Sequence, residues 1–496
     1  MTVRPSSINT ARRIVAMLTT LAAAASLGAC ALGPDYARPE APLPAAFHNA
    51  PAVQARDAAP PAAPLDAWWQ GFDDPQLTRV IERVASRNLD LAQARARLAQ
   101  ARATADAAGA ALLPSAGLQA ERARVDQSLL DPTATVARGS PAFERGFSLS
   151  RADAVASWEI DLFGGLRRGR EAARADYEAA LAGNDALRVA LTAEAADAYL
   201  QLRDEQLRLA VALRQEAIDE QLVALVTQRL EQGLSSEREL HEARAVLEDV
   251  RSTMPPLRAG VEAQLQRLRV LMGDFAADSR FPLEVPVALP AVPALSTADG
   301  QAALLRRRPD VIAAERRVAA ANARIGAALA EYYPHVSVSA LFGVASIEPG
   351  HLFTGDAVEH QLGAGLRWRL FDFGRVDAEV AAARGRDAEA LAAYRATVLR
   401  ASSEVEVALS ELVQQEARIA SLTRETQELQ LARDQSQAAY EGGAVSLIDV
   451  LTADRQLLAA SDQLTIAQAG AARAAVAGYR ALGGGWQAGE RVAAAN

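Results

Sequence analysis

Four short stretches of this chain alternate between apolar and polar residues, and two long ones repeat every seven. In 361–371 the even positions Leu362, Ala364, Leu366, Trp368 and Leu370 are apolar, while Gln361, Arg367 and Arg369 share the odd ones with glycine. Segment 335–343 sets Val336, Val338, Ala340 and Phe342 against His335, Ser337 and Ser339. Segment 151–161 sets Ala152, Ala154, Ala156, Trp158 and Ile160 against Arg151, Asp153, Glu159 and Asp161. A fourth stretch, 115–125, alternates less cleanly because Glu121, Arg122 and Arg124 interrupt it. Such patterns predict strands with one dry and one wet face. An antiparallel sheet of a soluble protein has that character, and so does a membrane barrel with lipid outside and water inside. Strand lengths near ten, with Trp158 and Trp368 at the helix-proximal ends where an aromatic girdle lies, favour the barrel.

The sevenfold spacing of Val398, Val405, Leu412 and Ile419 is that of a coiled coil. Uninterrupted helical patterns run from Gly165 to Gln232, closed by Gly233, and from Gly374 to about Glu441, closed by Gly442 and Gly443. At about 1.5 Å per residue each spans on the order of 100 Å, more than a compact domain would use. Shorter helices return over about 236–272 and 446–482, and a belt with Pro282, Pro286, Pro290 and Pro293 separates the halves.

The chain is internally duplicated. Adding 210 to Trp158, Phe163, Gly164, Glu194, Leu202 and Gly233 gives Trp368, Phe373, Gly374, Glu404, Leu412 and Gly443. Further upstream the offset is 220, carrying Asp90 and Pro114 onto Asp310 and Pro334. The expected organisation is a leader over 1–29, Cys30 with an extended segment to 66, a helix over 67–113 and a β-hairpin over 114–163. A long helical hairpin over 164–272 turns near 233, and the belt covers 273–298. The second copy supplies a helix over 299–333, a β-hairpin over 334–373 and a helical hairpin over 374–482 turning near 443, with a tail over 483–496. The fold class is therefore mostly α with a transmembrane β-barrel. Four strands cannot close a barrel when the smallest membrane barrels need about 8. Two or more chains must share one, and the strand count leaves dimer and trimer open.

The amino terminus and the composition locate the object. Arg12 and Arg13 precede an apolar run from Ile14 to Leu27, and Leu27-Gly28-Ala29-Cys30 ends it, the layout of a secretory signal. Cys30 is the sole cysteine of 496 residues, so an internal disulfide is excluded. Leu-Gly-Ala-Cys resembles a bacterial lipobox, which implies cleavage before Cys30 and acylation of its thiol, and Ala31 implies sorting to the outer membrane. No later stretch is long and apolar enough to span a bilayer as a helix. The net charge is −9, without a basic stripe, which argues against a nucleic-acid partner. Enzyme signatures are lacking. The five histidines show no metal-ligand spacing, no cofactor motif is present, and Gly164-Gly165-Leu166-Arg167-Arg168-Gly169 lacks the Lys-Ser/Thr of a phosphate loop.

From Cys30 to Trp486 the chain resembles the TolC-like outer membrane factors, in their NodT-type lipoprotein branch. The resemblance rests on Leu32-Gly33-Pro34-Asp35-Tyr36-Ala37-Arg38-Pro39, Trp68-Trp69, Asp74-Pro75, the junctions Trp158-Glu159-Ile160-Asp161-Leu162-Phe163-Gly164 and Phe371-Asp372-Phe373-Gly374, the tip Tyr440-Glu441-Gly442-Gly443, and Gly483-Gly484-Gly485-Trp486. It implies a homotrimer with a shared twelve-stranded barrel in outer-membrane lipid and a long periplasmic α-barrel. It also implies a periplasmic membrane-fusion adaptor and an inner-membrane pump of resistance-nodulation-division type. The expected function is the exit duct of a tripartite efflux pump. A duct for type I protein secretion shares the fold, and a non-conducting lipid-anchored tether would not need alternating strands. Asp449 and Arg455 match positions where the family's periplasmic gate lies, Thr452 stands where relatives often carry Asp, and Glu239 holds the duplicated position of Asp449. Gly233-Leu234 and Gly443-Ala444 begin the tips through which the family meets its adaptor. Trp158, Gly164, Trp368 and Gly374 mark the barrel–helix junctions.

Overall fold

A computed structural model describes residues 31–40, 42–56, 64–141, 143–274, 282–296 and 300–487. The expected leader and Cys30 lie outside the described residues. In chain order the elements are α1 (Ala50–Gln54), a 3₁₀ helix (Leu65–Phe72), α2 (Pro75–Arg87), α3 (Leu89–Ala110), β1 (Ser115–Asp126), α4 (Pro132–Ala137), β2 (Gly146–Ile160), α5 (Gly165–Glu231) and α6 (Glu237–Met272). The second half holds α7 (Leu304–Arg307), α8 (Pro309–Ala330), β3 (His335–Ser346), β4 (Val358–Arg367), α9 (Arg375–Glu441) and α10 (Leu447–Ala481), with short 3₁₀ turns between. The chain forms two compact units. One gathers the segment before Glu40 with Ala99–Glu178 and Glu315–Ala392, and the other gathers the remainder.

Both long helices are 67 residues, with ends within one residue of the expected bounds. Their heptad positions Val398, Val405 and Leu412 are buried. The helix expected to run unbroken to Leu113 is instead two helices. Asn88 breaks it with extended backbone, its side-chain oxygen accepting from the amides of Asp90 (2.9 Å) and Leu91 (3.0 Å) while its amide donates to Leu271 O (2.9 Å). A buried Asn that caps the next helix outweighs helical periodicity at that point.

In the first unit the sheet runs β1-β2-β3-β4, antiparallel throughout. Its pairing places Leu118, Ala154, Phe342, Leu362 and Leu366 on one face. Leu118 is 88% exposed and Leu362 80%. The other face carries Arg151, which pairs with Glu359 at 3.1 Å and Asp153 at 3.5 Å. Although its alternation is broken, β1 pairs along its full length, with Arg122 and Arg124 opposite Ser150 and Ser148. β4 stops at Arg367, four residues short of the expected end, because β3 begins at its partner His335. The first described residues form a strap. Leu32 N donates to Phe163 O (3.3 Å), and the Arg168 guanidinium binds Leu32 O (3.0 Å) and Asp35 (2.8 Å). Tyr36 donates to Glu315 with Arg316 over its ring, tying both copies of the duplication together. Gly33, at φ 94°, lies so close to Gly326 that a Cβ would come within 2.5 Å of its Cα.

In the second unit Trp68 is fully buried and stacks on Tyr479 at 5.4 Å. Against it the terminal Gly484-Gly485-Trp486 closes, with Gly485 N donating to Leu65 O (2.8 Å) and Trp486 Nε1 to Arg307 O (3.1 Å). The described part of the belt, 282–296, has neither helix nor strand, so its carbonyls need other donors. Arg203, fully buried over the ring of Tyr199 at 4.7 Å, donates to Leu283 O (3.2 Å), Val285 O (2.8 Å) and Gln206 Oε1 (2.5 Å). Arg203→Met keeps the apolar stem but takes the Arg203 donors from Val285 O and Gln206 Oε1, while Leu283 O keeps its bond from Gln206 Nε2 (2.7 Å), and it should cost about 2–4 kcal/mol. Limited proteolysis checks this: cutting should begin within 282–296, and a variant as resistant there as the parent would refute the belt's dependence on Arg203.

Candidate functional site: the ends of the long helices

The junction and tip ends of the long helices hold nearly all residues singled out from the sequence. At the junctions Trp158 Nε1 donates to Leu112 O and Trp368 Nε1 to Tyr332 O, both at 3.0 Å. These are matched bonds under the offsets of 210 and 220. Gly164 (φ 80°) and Gly374 (φ 82°) take the left-handed turn that lets each strand enter its helix. The first amides of the helices are then capped by carboxylates one place apart in the two copies. Asp161 accepts from Leu166 N (3.2 Å) and Arg167 N (2.9 Å), and Asp372 from Gly374 N (3.2 Å) and Val376 N (2.8 Å). Asp372 is held below the usual carboxylate range, chiefly by the Val376 amide.

At the tips Gly233 (φ 72°) and Gly443 (φ 77°) reverse the chain, with Leu234 N returning to Arg229 O and Ala444 N to Ala439 O, both at 2.8 Å. A Cβ at either glycine would meet nothing within 4 Å, so backbone conformation alone demands glycine there. Leu234 and Ile448 are exposed apolar side chains on these turns. The carboxylates expected at a gate cap the returning helices. Glu239 accepts from Ser235 Oγ (2.6 Å) and Ser236 N (2.9 Å), and Asp449 from Ser446 Oγ (2.7 Å) and Ser446 N (3.0 Å). The Ser235 hydroxyl, then the Ser236 amide, lower the Glu239 carboxyl. Arg238, next to Glu239 in sequence, pairs with Glu242 on its own helix (2.7 Å). Thr452 donates to Ile448 O at 2.6 Å, and Arg455 is exposed with no partner among the described residues.

Sequence reasoning missed what joins the two tips. Arg229 on α5 lies over the Tyr440 ring at 4.6 Å, and Leu222, Val226, Leu240, Leu447 and Val450 pack around them. Deeper in, Arg433 on α9 pairs with Asp454 on α10 at 2.8 Å, and Asp219 on α5 is buried beside them, accepting from Gln215 at 2.9 Å. One oxygen each of Asp219 and Asp454 has no hydrogen-bond partner. The signal was present in the spacing: Asp219 stands seven before Val226 and Asp454 seven after Leu447, in core positions of the heptad. Burial, partly offset by the Gln215 hydrogen bond and reinforced by the charge of Asp454, pushes the Asp219 carboxyl up to about 6. The folded chain therefore binds this proton more tightly than the unfolded one. Its stabilising effect is complete below about pH 4 and is lost as pH rises to about 6. Asp219→Asn should consequently stabilise the helical unit at pH 8 by about 1–3 kcal/mol, with little effect at pH 4. Thermal melting followed by helical circular dichroism at both pH values checks it; an equal change at the two would overturn the assignment.

Comparison with known proteins places these features. The family model described as outer membrane efflux protein matches residues 80–274 and 301–484. The pyoverdine export outer membrane protein OpmQ of Pseudomonas putida is 32% identical over 441 residues, covering 86% of this chain and 90% of that protein. Nodulation protein T of Rhizobium leguminosarum bv. viciae is 28% identical over 445 residues, covering 89% of this chain and 88% of its own. The solved structure of the outer-membrane channel OprN is 33% identical, with a TM-score of 0.81 over 92% of this chain and 100% of that one. With four strands, two 67-residue helices and a family match along most of its length, the chain belongs to the outer membrane efflux protein family: it is an outer-membrane channel with a periplasmic helical extension, the exit duct of a tripartite efflux system completed by a periplasmic adaptor and an inner-membrane pump.

Proposed function

We propose that three copies of this chain close a twelve-stranded barrel in the outer membrane and carry small molecules from a pump of resistance-nodulation-division type through a membrane-fusion adaptor. The observation that carries this reading is the sheet. Over its helix-proximal half one face is apolar and bare, with Arg122 and Arg124 on that face only toward the far end, the other face carries the Arg151–Glu359 pair, and both edges are open. Only closure with further copies would satisfy those edges in lipid. The name of OpmQ gives pyoverdine as its cargo, which supports small-molecule traffic. Cys30 is the lipid anchor in this reading. Leu32, two residues on, is bonded to the strand–helix turn at Phe163, so the acyl chains would enter the membrane beside the barrel's periplasmic rim.

The tips form the periplasmic gate and adaptor contact. Leu234, Ala444 and their glycines offer the adaptor small and apolar turns, while Asp449, Thr452, Arg455 and Glu239 surround the entrance. Because Arg455 has no partner among the described residues, the bond it makes in this reading reaches another copy. An exposed ion pair contributes about 0–1 kcal/mol, and threefold repetition makes that a few kcal/mol, enough to shift a closed tube toward open.

Purified protein in detergent should therefore have the mass of three chains, and a monodisperse monomer would refute the shared barrel. Mass spectrometry of the mature chain should show Cys30 as an acylated amino terminus. Cleavage elsewhere, or a free thiol, removes the anchor from the model. In planar bilayers Arg455→Ala should raise single-channel conductance more than Asp449→Ala. The first leaves carboxylates repelling one another, whereas the second removes charge together with a helix cap. Wild-type conductance from both variants at low and high salt would place the gate elsewhere.

A further inference from the structure

The internal duplication fixes more than the existence of a partner. Both hairpins obey the same arithmetic: Ser115 pairs with Ser157 in the first, and the residues 220 and 210 further on, His335 and Arg367, pair in the second. The indole-to-carbonyl bonds of Trp158 and Trp368 repeat under the same two offsets. Within the chain, the hairpins are joined by β2 and β3, with Trp158 opposite Val338 and Ile160 opposite Val336. The free edges are β4 and β1, and these are the duplicates of β2 and β3.

From this we infer that the open edges dock a second copy of the same chain in one particular register, with Trp368 opposite Leu118 of the next copy, Leu366 opposite Ala120 and Leu362 opposite Arg124, and with Phe373 laid over the next copy's Leu113. The inference rests on the shared-barrel reading and adds the register to it.

Three features that played no part in deriving the register agree with it. First, it keeps Leu362, Ala364 and Leu366 on the same face as Leu118 and Ala120, whereas a slip of one residue would turn the apolar face of every later strand inward. Second, it accounts for the shortfall of β4. Residues 158–160 of β2 extend beyond its pairing with β1 and are held as strand by β3 alone. Their duplicates, Trp368 to Leu370, alternate as a strand should but have no such neighbour within the chain, and β4 ends at Arg367. In the inferred register Ala116 to Leu118 of the next copy supply that neighbour, so 368–370 become strand on assembly. Third, Phe163 stacks on Tyr333 at 4.7 Å, while their duplicates Phe373 and Leu113 are 102% and 66% exposed. Two apolar side chains left bare at matching positions are the two halves of the same contact, made between copies rather than within one.

Cysteine pairs test the register in a Cys30→Ser background, since disulfides form only where Cα atoms lie within about 7 Å. Leu366→Cys with Ala120→Cys, and Leu362→Cys with Arg124→Cys, should yield dimers and trimers on non-reducing gels after copper-phenanthroline oxidation of native outer membranes. Leu362→Cys with Ala120→Cys, four residues out of register, should yield at least fivefold less. Each reduced variant is first shown to have the parent's assembled mass. Stronger coupling of Leu366→Cys to Leu118→Cys or Arg122→Cys than to Ala120→Cys would overturn the register while leaving the shared barrel intact. A parent that remains monomeric in the membrane would overturn the reading beneath it. Hydrogen exchange gives a second measurement without cysteine: the amides of Trp368 and Leu370 should exchange no more slowly than an exposed turn in a detergent-dissociated monomer, and at least tenfold more slowly once assembled. Equal rates in the two states would refute strand extension.

Discussion

Inside a bilayer no water is available to satisfy a backbone amide or carbonyl, and this single fact governs the molecule. A sheet of four strands leaves two rows of such groups unsatisfied. Embedded in lipid, it is a fragment of a larger closed surface. Helices of 67 residues pose the same problem in another form. Their backbone groups are satisfied internally, yet a heptad stripe of Val398, Val405 and Leu412 is dry only if other helices cover it. Edge and stripe both demand neighbours, and duplication supplies them economically, because one β–α design serves twice in each chain.

Duplication is not identity, and the departures show where one chain needs something its copy does not. The strap of Leu32 to Tyr36 binds at the first junction, where a Cβ on Gly164 would strike Ala31 at 2.7 Å; at Gly374 the same test finds only Asp377 at 3.8 Å. Each chain has one amino terminus and two junctions, so only one can be strapped. The helix break differs likewise. In the first copy neutral Asn88 caps α3, while in the second Arg308 precedes Pro309 and binds Asp310 (2.7 Å), Glu404 (2.8 Å) and Ala481 O (3.0 Å). Arg308 keeps the bond that Asn88 makes to Leu271 O, since Ala481 is the duplicate of Leu271, and adds the two carboxylates, Asp310 and Glu404, that its charge can hold.

Most of the fold was legible because its periodicities are long and unmixed. A pattern sustained over 67 residues leaves little to chance, and glycines at Gly233 and Gly443 mark both turns. What could not be read were polar residues doing buried work. Asp454 and Arg433 look like solvated charge on a coiled-coil surface until their position in the heptad is considered, and Arg203, followed directly by Asp204 and Glu205, looks like part of an ordinary charged stretch although it is fully buried. Asn88 looked like one more polar helix position because its cap bonds are local while its second bond, to Leu271 O, crosses 183 residues. The candidate site divided the same way. Junction and tip glycines were visible through their neighbours, but the attachment of Glu239 and Asp449 to Ser236 and Ser446 was overlooked although each carboxylate stands three residues after its serine, the spacing of a capping box.

That attachment alters what the tip charges can do. A carboxylate at N3 of a helix is stabilised by the free amides of the first turn and by the positive end of the helix dipole. For Glu239 the Ser235 hydroxyl and Ser236 amide hold the carboxyl low, so it stays ionised well below neutral pH. Protonation is therefore not a route by which Glu239 sheds its charge near neutral pH. In the gate reading proposed above, cations facing the tip carboxylates supply the balance, and Arg455 is an exposed cation on the same helix as Asp449, with no partner among the described residues. The turns are tied at both sides, by a left-handed glycine on one and a serine–carboxylate pair on the other. In the gate reading proposed above, opening therefore shifts helices as bodies, with the Arg433–Asp454 pair holding α9 to α10, and leaves the turns intact.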